Sequence, residues 1–134
     1  MSPPIIAVVR QAYRAFAERE LPTLRRLAHP DVEVRTVTGM LAARQEPYRG
    51  HEGLEAYLDD VARVWDELEL HPAEFHPLDS ERVLVLGRVL ARRGSALHDS
   101  PSAWVWTVRE GLVVAVEVYG DAEAALELLG RPES

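Results

Sequence analysis

The N-terminal part of this 134-residue chain has apolar residues at helical spacing. Ser2-Pro3 is typical of a helix start, because a proline in the first turn loses no hydrogen bond. A stripe at three- and four-residue intervals then predicts a helix that buries one face. The stripe consists of Ile5, Val8, Val9, Ala12, Tyr13 and Phe16. A second, short helix is predicted through Leu24 and Leu27, ending at His29-Pro30-Asp31.

The period of the pattern changes to two residues from Asp31 to Thr38. This alternation predicts a half-buried strand whose apolar face carries Val32, Val34 and Thr36. Residues 39–50 show no period and predict a loop. From His51 to Trp65 the helical period returns and predicts a third helix. Its apolar stripe consists of Leu54, Tyr57, Leu58, Val61 and Trp65.

Strand-like runs fill most of the C-terminal half. Four of them follow the third helix, at Glu67–Leu78, Arg82–Arg92, Ser102–Arg109 and Leu112–Tyr119. A last short helix is predicted from Asp121, as its cap, to Gly130. No linker or internal repeat divides the chain, so we expect a single domain over residues 1–134. The order of elements predicts an α+β fold with helices on one face of a mostly antiparallel sheet.

The turn between the last two strands decides which side chains face the core. A two-residue turn at Glu110-Gly111 requires a positive φ at Glu110, which is unfavourable for a residue with a side chain. A three-residue turn, Arg109-Glu110-Gly111, requires it only at the glycine. We therefore expect the three-residue turn, which pairs Val108 with Leu112.

That pairing predicts the two faces of the last hairpin. The inner face would consist of Trp104, Trp106, Val108, Leu112, Val114, Val116 and Val118. The outer face would carry Val105, Thr107, Val113, Ala115, Glu117 and Tyr119. The outer face is too apolar to lie open to water, and a second copy of the chain is the simplest cover. We therefore expect a homodimer through this face.

Composition excludes several kinds of chemistry. Cysteine is absent, which removes thiol nucleophiles and thiolate metal sites. All 15 basic residues are arginine, so Schiff-base chemistry and a P-loop lysine are excluded. No G-x-G-x-x-G fingerprint occurs, and we expect no cofactor. The net charge of −7 disfavours a nucleic-acid partner. No apolar run could span a bilayer and no signal peptide is recognisable, so we expect a cytoplasmic protein without a membrane partner.

Four segments, read in order, resemble one protein family. They are QAYRAFAERELPTLRRLAHPDVEV, PYRGHEGLEAYL, WVWTVREGLVVAVEVYGD and DAEAALELLG. Together they resemble the SnoaL-like branch of the nuclear transport factor 2-like superfamily. The resemblance implies a cone, in which a strongly curved mixed or antiparallel sheet wraps around three helices from the N-terminal half, with a short C-terminal helix. It also implies an apolar pocket inside the cone and dimerisation through the outer face of the sheet.

Ketosteroid isomerase, a member of that superfamily, uses a carboxylate base together with a tyrosine and a neutral carboxylic acid. In this chain the resemblance places the tyrosine at Tyr13, the base at Thr36 and the second acid at Trp104. Threonine cannot accept a proton at neutral pH, and an indole N–H cannot be tuned as an acid. The isomerase set is therefore incomplete, and Tyr13 is the one catalytic candidate.

The inward-facing residues and the implied pocket together predict a binding site for a small apolar molecule. Its candidate lining consists of Tyr13, Val34, Thr36, Tyr57, Trp104, Trp106, Val116 and Val118. Three alternatives stay open: these aromatic residues fill a plain core; the protein is an isomerase-, cyclase- or dehydratase-type enzyme acting on a polyketide- or steroid-like substrate; or it is a non-catalytic dimerisation module. The Tyr13 hydroxyl would bind either a ligand or another protein group.

The histidines give weaker hypotheses. His98-Asp99 could form an acid–base pair, but adjacent residues usually point apart. His71 and His76, with Glu74 between them, could suggest a metal site. We expect none, because alternation along a strand would place the two imidazoles on opposite faces. Arg88 interrupts an apolar run and is predicted to lie on the outer face or the rim.

Overall fold

The computed structural model describes residues 4–43 and 45–119, where helices alternate with short strands before a long antiparallel meander. The helices are α1 (Pro4–Ala17), α2 (Leu21–Leu27), α3 (Val37–Leu41) and α4 (Gly50–Val64). The strands are β1 (Ala28–Arg35), β2 (Tyr48–Arg49), β3 (Glu67–Pro77), β4 (Arg82–Arg93), β5 (Ala96–Arg109) and β6 (Leu112–Tyr119). The predicted C-terminal helix from Asp121 to Gly130 and the predicted cap at Ser2 lie outside the described residues.

The six strands form one open, mixed sheet in the order β2-β1-β6-β5-β4-β3. Strand β1 runs parallel to β6, and the other neighbours are antiparallel. Register shifts within three of the strand pairs mark bulges, which bend strands and increase their twist. Helix α1 contacts β3, β4, β5 and β6 on the concave side. The predicted α+β fold, with a curved sheet around helices, is confirmed.

Helix α1 forms because its apolar stripe has a core to enter. Val9, Tyr13 and Phe16, which share that stripe, are all at most 7% exposed. Full burial of one such aliphatic side chain contributes about 1.5–3 kcal/mol. Helix α4 packs in the same way through Leu54 and Val61. Both helices lie where the helical period predicted them.

The hairpin turn differs from the prediction. Glu110 and Gly111 have φ values of 53° and 80°, and Arg109 pairs directly with Leu112. The connection is therefore a two-residue turn with positive φ at both central positions, and the predicted three-residue turn is wrong. Such a turn matches the right-handed twist of its strands. That match offsets the cost of a left-handed glutamate, about 1–2 kcal/mol.

A bulge next to this turn resets the facing of β6. Thr107 pairs with Ala115 and Val108 with Val113, so Val114 is the extra residue. Val113 consequently joins the core, although the predicted register placed it on the outer face. Leu112 and Val114, which were predicted to face inward, belong neither to the core clusters nor to the cavity wall described below. Trp104, Trp106, Val108, Val116 and Val118 face inward as predicted.

Three boundaries also differ from the sequence prediction. Strand β1 starts at Ala28 and ends at Arg35, so Thr36 and Thr38 lie beyond its end. The predicted loop at 39–50 contains the end of α3 as well as β2. Strand β5 begins at Ala96 rather than Ser102. Its first six residues are all exposed, so they carry none of the apolar alternation on which a prediction depends.

A further bulge, at Ala73 in β3, changes the geometry of the histidines. His71 pairs with Arg88 and His76 with Leu84, and both partners lie on the outer face of β4. The two histidines therefore share one face, and the prediction of opposite faces is wrong. Each imidazole contacts the glutamate two residues before it. Within the described ranges no group of three ligating side chains could hold a metal ion, and no helix is long and apolar enough to cross a membrane.

Candidate functional site

A cavity of about 500 Å³ lies between the concave face of the sheet and the helices. Its volume is within the range of small-molecule sites, and its walls are mostly aliphatic and aromatic, as in such sites. The tryptophans of β5 therefore do not fill the cone completely. Space remains beside them.

The structure brings together all eight side chains that the sequence predicted to contact a ligand. All of them line this cavity: Tyr13, Val34, Thr36, Tyr57, Trp104, Trp106, Val116 and Val118. They come from α1, α4, β1, β5 and β6, apart from Thr36, which directly follows β1. Their role in binding stays a prediction, but their convergence on one space is a structural fact.

Tyr13 is held in the wall by three aromatic neighbours. Its ring centroid lies 5.0 Å from that of Trp106, 5.6 Å from Trp104 and 6.3 Å from Phe75. The indole Nε1–H of Trp106 donates a hydrogen bond to the Tyr13 hydroxyl oxygen over 3.0 Å. This bond uses an acceptor site of the hydroxyl and leaves its proton, which is donated to no other group in the described part of the chain.

Burial sets the charge state of this hydroxyl. Desolvation raises the pKa of Tyr13 well above its usual value of 10.0, and the hydrogen bond from Trp106 opposes that shift only partly. The phenol is therefore neutral at physiological pH. A neutral phenol with one acceptor site occupied can donate its proton to an oxygen in the cavity.

Tyr57 supplies a second hydroxyl to the cavity. Its ring stacks on Phe16 at 5.6 Å and meets Tyr48 at 5.2 Å. Burial raises its pKa, and the charge of Arg19 counteracts the shift in part. The Tyr57 hydroxyl has no hydrogen-bond partner among residues 4–43 and 45–119. It is thus another neutral polar group with bonding capacity to spare.

The two positions where the isomerase would have acids carry no carboxylate. Thr36 accepts a hydrogen bond from the backbone N–H of Gly39 at 3.3 Å. Trp104 is 3% exposed and meets the ring of Tyr13 edge-on. No aspartate or glutamate is among the described residues that line the cavity. The arrangement can hold an apolar molecule and donate hydrogen bonds to it, but these residues give it no carboxylate base.

One end of the cavity opens beside Trp65. The Trp65 indole donates to Thr38 Oγ1 at 2.9 Å, and its ring meets that of His98 edge-on at 6.2 Å. His98 lines the cavity, whereas Asp99 lies on the outer face and binds Arg88 Nε at 2.8 Å. The two neighbours point to opposite faces, so they form no acid–base pair. Arg88 lies on the outer face as predicted.

This architecture matches that of known proteins. The family model described as a SnoaL-like domain matches residues 9–116 of the chain. The chain belongs to the SnoaL-like family. The sequence-based resemblance is confirmed, and no curated protein matches the chain.

Several solved structures are similar to this SnoaL-like chain. A nuclear transport factor 2-like protein of unknown function from Burkholderia pseudomallei is 26% identical, with a TM-score of 0.78 over 96% of this chain and 98% of that one. TerC, co-crystallised with polyporic acid, is 27% identical, with a TM-score of 0.77 over 96% and 99%. Rv0760c from Mycobacterium tuberculosis, in complex with estradiol-17β-hemisuccinate, is 15% identical, with a TM-score of 0.73 over 91% and 97%, and shows the shared fold.

The SnoaL-like chain also has a buried polar pair that the sequence prediction missed. Asp60 on α4 is 1% exposed and accepts hydrogen bonds from the Tyr48 hydroxyl, at 2.6 Å, and from Arg63. Since Tyr48 packs against Tyr57, this pair supports the cavity wall from behind. Val61 belongs to the apolar stripe of the helix, and the aspartate directly before it is the sequence signal for this buried pair.

Proposed function

We propose that this SnoaL-like protein binds a small, largely apolar molecule in its cavity, with the Tyr13 hydroxyl as polar anchor. The observation that carries the proposal is the cavity of about 500 Å³. Protein interiors are otherwise close-packed, and unfilled apolar space costs stability. The described lining residues come from five strands and four helices, and a wall of this kind around such a space supports a ligand rather than a plain core.

The anchor limits which ligands fit. Because Trp106 donates to Tyr13, the Tyr13 proton is the group offered to the cavity. The matching ligand group is an acceptor oxygen, such as that of a ketone, quinone or amide. One such hydrogen bond contributes about 1 kcal/mol to affinity. TerC, 27% identical over nearly its whole length, was co-crystallised with polyporic acid, an aromatic hydroxyquinone of this chemical type.

Binding is favoured over acid–base catalysis by what surrounds the anchor. The described lining residues include no carboxylate, and their one imidazole belongs to His98. His98 and Trp106 are eight positions apart on β5, about 26 Å along the strand. A base must lie within hydrogen-bond reach of the proton that it removes. His98 is therefore badly placed to act on a group bound at Tyr13.

A pair of substitutions on β6 tests the proposal. Val118→Phe adds a large side chain inside the cavity, whereas Glu117→Phe adds the same ring on the outer face. Polyporic acid and estradiol are titrated into each protein by calorimetry. We expect saturable binding of at least one probe to the native chain and to Glu117→Phe. Overpacking costs about 1–3 kcal/mol, so Val118→Phe should weaken binding about fivefold or more. Absence of saturable binding to the native chain, or binding that survives Val118→Phe unchanged, contradicts the proposal.

A further inference from the structure

We infer that the molecule bound in this cavity carries an acidic group, which pairs with Arg93 and His98 at the open end. The inference rests on the proposed function and adds a chemical class to it. The ligand would be an amphiphilic acid, with an apolar body, an acceptor oxygen at one end and a carboxylate or comparably acidic oxygen at the other.

The hairpin between β4 and β5 positions both of these side chains. Arg93 ends β4 and pairs with Ala96, while His98 pairs with Ala91. Alternation places all four of these residues on the concave face, and the side chains of Arg93 and His98 line the cavity. Both residues are also exposed, so they form the rim where the cavity meets solvent.

Charge distinguishes this rim from the rest of the molecule. The chain has a net charge of −7, yet the described lining residues include no aspartate or glutamate. Apart from tyrosines, their ionisable members are Arg93 and His98. A cavity whose described lining carries the Arg93 guanidinium and no carboxylate attracts anions and disfavours cations. The walls therefore select both for apolar surface and for negative charge.

Arg93 differs from its neighbour Arg92 in its ion pairs. Arg92 faces the outer side of β4 and lies 3.6 Å from both Asp66 and Glu67. Arg93 forms no ion pair with any residue in the described ranges. Its guanidinium is free to bind a carboxylate through two parallel hydrogen bonds, the geometry that arginine favours.

The positions of the two ends give the shape of the ligand. Trp106, which holds the Tyr13 hydroxyl, and His98 lie on the same face of β5 with Ser100, Ser102 and Trp104 between them. Since His98 and Trp106 lie about 26 Å apart along the strand, only a long body that follows this face can place its acceptor oxygen at Tyr13 and its acidic group at the rim. The two serine hydroxyls lie along the way and can accept or donate hydrogen bonds.

A matched pair of ligands tests the inference. Estradiol-17β-hemisuccinate and its methyl ester differ only in the free carboxylate. Their dissociation constants are measured at low ionic strength on the native chain, on Arg93→Gln and on Arg92→Gln. The last variant removes the same charge from the outer face, and thermal melting checks that all three proteins are folded.

We expect the native chain to bind the acid about fivefold more tightly than the ester, the effect of one partly exposed ion pair. Arg93→Gln should abolish that preference and leave the affinity for the ester unchanged, whereas Arg92→Gln should keep it. Equal affinities in the native chain, or a preference that survives Arg93→Gln, overturn the inference and leave the proposed function standing. Loss of saturable binding by both molecules overturns the two together.

Discussion

Trp106 donates its indole N–H to the hydroxyl oxygen of Tyr13 at 3.0 Å, which links β5 to α1 across 93 positions of sequence. The bond gives Tyr13 a structural partner without using its proton. The sequence left open whether this phenol binds protein or ligand, and the geometry is compatible with both roles at once. The polar end of the cavity is therefore built by the fold before a ligand arrives.

Replacement of Tyr13 by phenylalanine should affect stability and binding together. The substitution removes the described acceptor of the Trp106 N–H, which should cost about 1–3 kcal/mol of unfolding free energy. It also removes the donor to the ligand, so the affinity for a carbonyl-bearing probe such as polyporic acid should fall about fivefold. Urea denaturation and calorimetry measure the two effects. A lower stability with unchanged affinity would show that the hydroxyl is only structural.

The raised pKa values of Tyr13 and Tyr57 predict a loss of stability at high pH. Burial raises both in the folded chain, while in the unfolded chain a tyrosine titrates at about 10. The folded state therefore holds these protons more tightly. Their contribution is fully present below about pH 10 and is lost as the pH rises above it.

The measurement is the melting temperature as a function of pH. We expect a decline above about pH 10 that is shallower in Tyr57→Phe than in the native chain. Equal slopes in the two proteins would mean that the Tyr57 hydroxyl is not desolvated in the folded state.

Much of the fold could be predicted because the apolar residues of its helices and strands recur at regular intervals along the sequence. Helix α4 was predicted at residues 51–65 and lies at Gly50–Val64. Alternation places Trp104 and Trp106 on one face of β5, and the structure shows that this face lines the cavity. Thr36 also lines the cavity, although β1 ends at Arg35.

The remaining features of the fold and of the cavity could not be predicted from a local sequence pattern. The face of the sheet on which Val113 lies depends on the turn type. The turn type depends on whether the twist of the strands offsets the cost of a positive φ at Glu110. The first six residues of β5 are all exposed and show no apolar alternation, so the rim residue His98 gave no strand signal. The open volume of the cavity results from the packing of all its walls and is not encoded in any one segment.

The buried carboxylate of α4 gives a test of the wall behind Tyr57. Asp60→Ala removes the acceptor shared by the Tyr48 hydroxyl and Arg63, and loss of a buried hydrogen-bond partner costs about 1–3 kcal/mol. The matched control is Asp59→Ala, which removes an exposed carboxylate from the next position and should cost less than about 0.5 kcal/mol. Denaturation midpoints compare the two. Equal losses would show that Asp60 has no special structural role.

A variant that tests the predicted homodimer should leave Val105 unchanged. Val105 on the outer face is already 7% exposed in the single chain, where it packs with Leu84 and Ala103. A charge there would disturb the fold itself. Thr107 and Ala115 pair directly and are only half-buried, so they are the better positions.

Light scattering after gel filtration should give a dimer mass for the native chain. Thr107→Arg combined with Ala115→Arg should shift it towards the monomer without lowering the melting temperature, because desolvated charges without partners oppose association. A monomer mass for the native chain at micromolar concentration would exclude this interface.

The most direct test of the central claim is the position of a bound probe, measured by nuclear magnetic resonance. The three indole N–H signals belong to Trp65, Trp104 and Trp106, which all line the cavity. During titration with polyporic acid, we expect the indole signals of Trp104 and Trp106 to shift and saturate together, while the backbone amide of Glu117 on the outer face stays unchanged. Shifts confined to outer-face residues, or indole signals that do not move, would contradict the account.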